Sequence, residues 1–209
     1  MKRDGKAGCG CLIFILICFL VAVGLSVHPL SLKFIGGQFR HEDKIFPADA
    51  LFVPRFDEDK GGELYIEAFR DYWAGNGRTI YVEEDQMFGA SILEPVHRMA
   101  KLRGIKEGAV KKIDLEGEDA AEARKAKKQF AAMGCKRVTI LVPEYASKRF
   151  HMLYGNSSKE EKTVYSIKPV PVSYFKRDKW WKDRHSILIL LEELLSMGPL
   201  SMDRFKNGG

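Results

Sequence analysis

From Ala7 to Val27 the chain carries no Asp, Glu, Lys or Arg, and Leu12-Ile13-Phe14-Ile15-Leu16-Ile17-Cys18-Phe19-Leu20-Val21-Ala22-Val23 is almost wholly apolar. A helix of this length, rising about 1.5 Å per residue, just crosses a hydrocarbon core of roughly 30 Å. The sequence therefore predicts a transmembrane anchor over residues 7–28, with the lipid bilayer as its partner. Lys2, Arg3 and Lys6 outweigh Asp4 before it, and short cationic flanks tend to stay in the cytoplasm. Residues 1–6 are then a cytoplasmic tail, and the rest of the chain lies outside the inner (plasma) membrane. A cleaved signal peptide is the competing reading, but it has a shorter apolar region followed by a small-residue site such as A-x-A. Ser26-Val27-His28-Pro29-Leu30 lacks that pattern, which favours a retained single-pass anchor.

With the anchor subtracted from 209 residues, the remainder suits one domain with a sizeable core. Residues 29–47 have mixed polarity, Gly36-Gly37 and the run Arg40-His41-Glu42-Asp43, and read as a stalk-like connector. The domain proper is expected over 48–200, followed by a short tail, 201–209. Cys9, Cys11 and Cys18 lie in or beside the anchor, leaving Cys135 alone in the domain and no intradomain disulfide. The formal charge of +6 is a modest excess, with no dense basic stripe interleaved with stacking aromatics, so nucleic acid is not an expected partner.

Beyond residue 47 the pattern alternates. Ala48 to Val53 is a short apolar run that fits a buried strand, and Leu64 to Trp73 has helical spacing ended by Gly75-Asn76-Gly77. The unit then repeats: strand 79–82, helix 92–102, strand 110–113, helix 120–133 ended at Gly134, strand 138–142, helix 145–154, an extended stretch 164–172 and a closing amphipathic helix 187–197 whose Leu188, Leu191 and Leu195 share one face. Strands alternating with helices of this length predict right-handed crossovers and an α/β, three-layer, mostly parallel, Rossmann-like sheet. There is no dinucleotide fingerprint after the first strand, where Pro54-Arg55-Phe56-Asp57 stands in place of glycines. Which cofactor the domain takes, if any, is not given by the sequence.

The order of blocks resembles the bacterial envelope family of unknown function typified by YdcF, SanA and ElyC. Trp180-Trp181-Lys182-Asp183-Arg184 followed by Leu190-Leu191-Glu192-Glu193-Leu194-Leu195 looks like that family's Trp-rich element and closing helix. Ala48-Asp49-Ala50, Glu67-Ala68 with Gly75, Glu94 before Gly104-Ile105, Glu116 before Glu122-Ala123, and Leu141-Val142 leading into Tyr145 and Arg149 agree more loosely. The resemblance spans about Ala48 to Leu200 and implies an envelope protein with a pocket at the edge of its sheet. This chain departs from the family at that pocket. Pro54-Arg55-Phe56 replaces a Gly-rich turn, Glu83-Glu84-Asp85 a Ser-Gly-Gly, Gly117-Glu118-Asp119 a set of Ser, Asn and Thr, and Ala146 a His.

Ligands of an open parallel sheet bind beyond the C-terminal ends of its strands, and that edge is expected to be acidic here. Asp57, Glu58 and Asp59 follow the first strand, Glu83, Glu84 and Asp85 the second, Asp114, Glu116, Glu118 and Asp119 the third, and Glu144 the fourth. Carboxylates converging on one crevice raise one another's pKa or gather a hard cation, whereas acids at helix N-termini are also favoured by the helix dipole alone. Candidate metal ligands are Asp57, Asp59, Glu83 and Asp85; candidate ligand-binding residues are Arg149, Arg55, Glu94, Glu116 and Glu118. The five histidines show no ligand spacing, and His97 and His151 read as helix-surface residues. Two functions stay open. One is a non-catalytic member that serves envelope biogenesis or maintenance by binding envelope proteins. The other is an enzyme or ligand-binding protein acting on an envelope precursor at the sheet edge.

Overall fold

The computed structural model describes residues 12, 14–20, 23–24, 27–84, 91–115, 117, 119–155 and 162–207, with the side chains of 201–207 excepted. Five strands form one parallel sheet: β1 (Ala48–Val53), β2 (Gly77–Glu84), β3 (Val110–Asp114), β4 (Arg137–Pro143) and β5 (Val164–Val170), in the spatial order β3-β2-β1-β4-β5. The register runs Val53 opposite Val82, Phe52 opposite Ile140, and Ile140 opposite Ile167. The central strands are near-continuous apolar runs because both faces are covered; Leu51, Phe52, Val53, Ile140, Leu141 and Val142 are inaccessible to solvent.

The helices are α1 (Pro29–Gly37), α2 (Glu63–Trp73), α3 (Leu93–Leu102), α4 (Asp119–Ala132), α5 (Ser147–Tyr154) and α6 (Arg184–Asn207), with a 3-10 turn at Arg177–Lys182. They cover both faces. Phe130 of α4 packs edge-on against Phe52 and Tyr165, while Lys168, three residues past Tyr165 and so on the opposite face, reaches Glu67 and Asp71 of α2. The expected α/β, Rossmann-like parallel sheet is thus present. Gly134 closes α4 in the left-handed conformation, at φ 74°, as its place after the helical pattern implies.

Three expectations need correcting. The connector is not an irregular stalk: Pro29–Gly37 is helical, with Pro near its start and His28 accepting from the Leu30 N–H. That helix is held by the tryptophan element, since Trp180 Nε1 donates to the Leu32 carbonyl at 2.8 Å. A side chain at Gly36 would collide with the same indole ring, 2.7 Å from its nearest carbon. The expected tail is also helical, because α6 continues to Asn207. Finally, α6 packs with the face opposite to the one expected: Ile189, Leu190 and Glu193 are buried, while Leu188, Leu191 and Leu195 are exposed.

Among the described residues no helix is long and apolar enough to cross a membrane. The expected anchor over 7–28 extends across residues outside those described. Of its described residues, 12, 14–20 and 23–24 are helical while 27 and 28 form a turn and a bend, and Leu12, Phe14, Ile15, Leu16, Ile17, Phe19 and Leu20 are exposed.

Candidate functional site

At the C-terminal edge of the sheet, β1 and β4 are neighbours from which the chain departs in opposite directions, β1 towards β2 and β4 towards β5. A crevice opens wherever strand order reverses in this way. Here it has a volume of about 610 Å³ and is lined by the turn after β1 (Pro54 to Glu58), Glu83 of β2, Asp119 and Glu122 of α4, Arg149, Phe150, Leu153 and Tyr154 of α5 and Glu192 of α6. Its apolar floor consists of Phe52, Phe56, Phe150, Leu153 and Tyr154, with Phe56 and Phe150 ring centroids 5.7 Å apart and Phe150 stacked on Tyr154.

Arg149 stands at one wall with its side chain only 12% exposed. Its Nε and Nη2 donate to the two oxygens of Glu193 at 3.0 and 2.8 Å, and Nη1 donates to Asp119. The fork is a bidentate pair of the strong kind. Burial opposes the guanidinium charge, yet Glu193 and Asp119 hold its pKa above the ordinary arginine value. Arg149 is therefore committed to protein carboxylates. It is a structural cation in the crevice wall, and Glu193, which the sequence presents only as part of a helix 44 residues away, is the partner that commits it.

Glu83 occupies the opposite wall. It accepts the Arg55 backbone N–H at 2.9 Å. Burial, with the charges of Glu122 and Asp119 nearby and against the stabilising N–H of Arg55, pushes its carboxyl up to about 7. Burial beside Asp119 likewise raises Glu122. The Arg55 guanidinium pairs with Asp57, Nη2 to Oδ1 at 2.6 Å. A group that titrates near neutrality can accept or release a proton under working conditions.

The sequence-predicted residues are distributed unevenly around this site. Arg149, Arg55, Asp57 and Glu83 line the crevice. Asp59 does not: its two oxygens accept the N–H groups of Glu63 and Leu64, at 2.7 and 3.0 Å, capping the start of α2. Glu94 is on the exposed face of α3, paired with Arg98 one turn on. Asp85, Glu116 and Glu118 lie outside the described residues. Asp57, Asp59 and Glu83 thus take three separate roles and do not gather at ligand spacing; among the described residues the group that does is His41, Asp43 and His151. This corrects the reading of His151 as a simple surface residue. Asp119, one of the strand-end acids, and Glu122 and Glu192, which enter only within the family-like blocks, line the crevice although none is among the candidate ligands.

Among the described residues the crevice lining holds six carboxylates (Asp57, Glu58, Glu83, Asp119, Glu122, Glu192) against two arginines, so it favours a cation, and its aromatic floor suits one that carries an apolar body or sits over a ring. Compared with protein families, with curated proteins and with solved structures, the chain matches none.

Proposed function

We propose that this chain is a membrane-anchored α/β domain on the non-cytoplasmic side that binds a cationic, amine-bearing ligand of the cell envelope in the crevice at its sheet edge. The observation that carries the ligand reading is the crevice itself, at the reversal of strand order, with its excess of carboxylates around an aromatic floor and Glu83 set to titrate near neutrality. The uncharged run 7–27 supports the anchor, as does the exposure of its described apolar side chains. The block order shared with the YdcF-like envelope proteins supports the location. Acids stand at two of the four places where that family has its pocket residues, Glu83-Glu84-Asp85 and Glu118-Asp119, which supports a ligand different from one that an uncharged pocket holds.

A non-catalytic, partner-binding member is the second reading, favoured by Leu188, Leu191, Leu194 and Leu195, which are more than half exposed along α6. The two readings separate in a titration. With the full chain in detergent, calorimetry with putrescine, spermidine and benzylamine is expected to show binding at pH 8 that weakens as pH falls through about 7, because Glu83 then gains a proton and loses its charge. Glu83→Gln is expected to lose about tenfold in affinity, equivalent to about 1.4 kcal/mol, and to flatten that pH dependence. Absence of heat with every cationic probe at pH 8 would leave the partner-binding reading in possession.

A further inference from the structure

We propose that His41, Asp43 and His151 form a second site, which takes zinc or a similar borderline transition-metal ion and clips the connector onto the domain. The three side chains each offer one ligand atom, all within 4.8 Å of one another. His41 Nε2 is 2.9 Å from Asp43 Oδ1, and His151 Nδ1 is 3.8 Å from Asp43 Oδ2. Two imidazoles and one carboxylate are the donor set of a zinc site with an open fourth position, whereas hard cations prefer oxygen alone. None of the three residues lines the crevice, so this site stands apart from the ligand reading.

Each ligand is braced by an element of the domain. Asp43 is bound to the outer edge of β5 by two hydrogen bonds: its N–H donates to the Ile167 carbonyl at 3.1 Å, and its Oδ2 accepts the Ile167 N–H at 2.8 Å. His41 is fixed through its own N–H, which donates to Ser147 Oγ at 2.8 Å, at the first residue of α5. His151 projects from α5, and its ring lies where a side chain at position 155 would be: a Cβ on Gly155 would be 2.8 Å from His151 Cε1. Supports of this kind orient metal ligands and set their basicity.

The two imidazoles are stacked, with ring centroids 3.6 Å apart and planes 26° from parallel. Two ring nitrogens turned towards one carboxylate are satisfied either by N–H protons on the rings or by a metal; a single divalent ion, which takes one lone pair from each neutral ring and one carboxylate oxygen, engages all three groups at once. Metal–nitrogen bonds of about 2.0 Å require the rings to turn out of the stack until their lone pairs converge. All three side chains are between 26% and 30% exposed, which leaves room for that turn and for a water as fourth ligand. The ion would join residues 41 and 43 to residue 151, fastening the segment that leads from the anchor to the edge of the sheet.

The test uses the full chain in detergent, purified without a histidine tag and stripped with chelator. One cobalt ion per chain is expected to give the visible absorption of a low-coordinate nitrogen and oxygen site. Equimolar or slightly higher zinc is expected to raise the melting temperature by roughly 5 °C, while calcium and magnesium leave it unchanged. His41→Ala and His151→Ala should each weaken cobalt binding at least about tenfold, whereas His97→Ala retains it. If either variant fails to fold, the wild-type spectrum decides alone. The proposal is overturned by the absence of cobalt absorption in the wild type, or by absorption and zinc stabilisation that survive in both folded variants.

Discussion

Arg149 and Glu193 form the pair on which one wall of the crevice rests, and the stability argument at this scale turns on what each would be without the other. Both are largely shielded, with side chains 12% and 6% exposed. Removing one partner of such a pair leaves an uncompensated charge out of water, at a cost of about 3–5 kcal/mol, whereas replacing both by apolar groups is often neutral. Arg149→Met is therefore expected to destabilise by about that amount in urea denaturation, and Arg149→Met with Glu193→Leu to recover most of it. Equal destabilisation by the single and double variants would show that Arg149 acts through Asp119 instead. At this scale the sequence was informative about composition and poor about roles. The acids after the strands are conspicuous, but nothing local distinguishes Asp59, whose oxygens cap α2, from Glu83, which faces Glu122 and Asp119 in the crevice. The partners that decide these roles come from elements far along the chain: Glu193 from α6 for Arg149, and Arg55 from the turn after β1 for Glu83.

The strands were legible as elements because parallel strands covered on both faces appear as unbroken apolar runs bounded by turns; β1 runs from Ala48 to Val53, as its apolar run suggests. The helix α6 was legible as a helix but not in its orientation. Ile187, Leu188, Ile189, Leu190, Leu191, Leu194 and Leu195 surround nearly the whole circumference, so apolar spacing alone does not select a face. The choice is made by polar residues: Glu193 must meet Arg149, and Ser186 is buried accepting the Lys176 N–H at 3.0 Å. Leu190 is on that side, 4% exposed, and Leu195 on the other, 76% exposed. Leu190→Ala is expected to cost about 2–5 kcal/mol, as large-to-small changes in a packed core do, and Leu195→Ala to stay within about 0.5 kcal/mol of wild type. Thermal or urea melts of the two variants check this directly, and similar losses in both would mean that the face carrying Leu195 is covered. The helix α1 escaped prediction because its signals are weak: Pro29 near the start and a histidine cap, without the amphipathic stripe that packing on a sheet would impose. It is held instead by the indole of Trp180.

For the molecule as a whole, the alternation of elements narrows the strand order to the few that right-handed crossovers permit, and the structure selects β3-β2-β1-β4-β5 among them. The placement of the domain relative to a membrane depends on the N-terminal segment and on how rigidly it is joined. Residues 29–43 are not a loose tether: Trp180 grips α1, the His41 N–H bonds to Ser147, and Asp43 bonds to the edge of β5. An anchor ending at residue 28 would deliver the domain close to the bilayer surface, on whichever side the chain after it lies. The direction of insertion is set by basic residues flanking the span, counted over short segments, with acidic residues contributing little. Lys2, Arg3 and Lys6 precede the uncharged run within five residues of its start, and Lys33, Arg40 and Lys44 follow within the connector, so the count is three against three and the bias rests on the first three lying closer to the run. A reporter fused after Gly209 that works only outside the cytoplasm is expected to be active, and one that works only inside it to be silent. Because the bias rests on three residues, changing Lys2, Arg3 and Lys6 together to Asn should reverse a measurable fraction of the molecules and raise the cytoplasmic signal. A strong cytoplasmic signal from the unaltered chain would overturn the topology and, with it, the envelope location of the crevice.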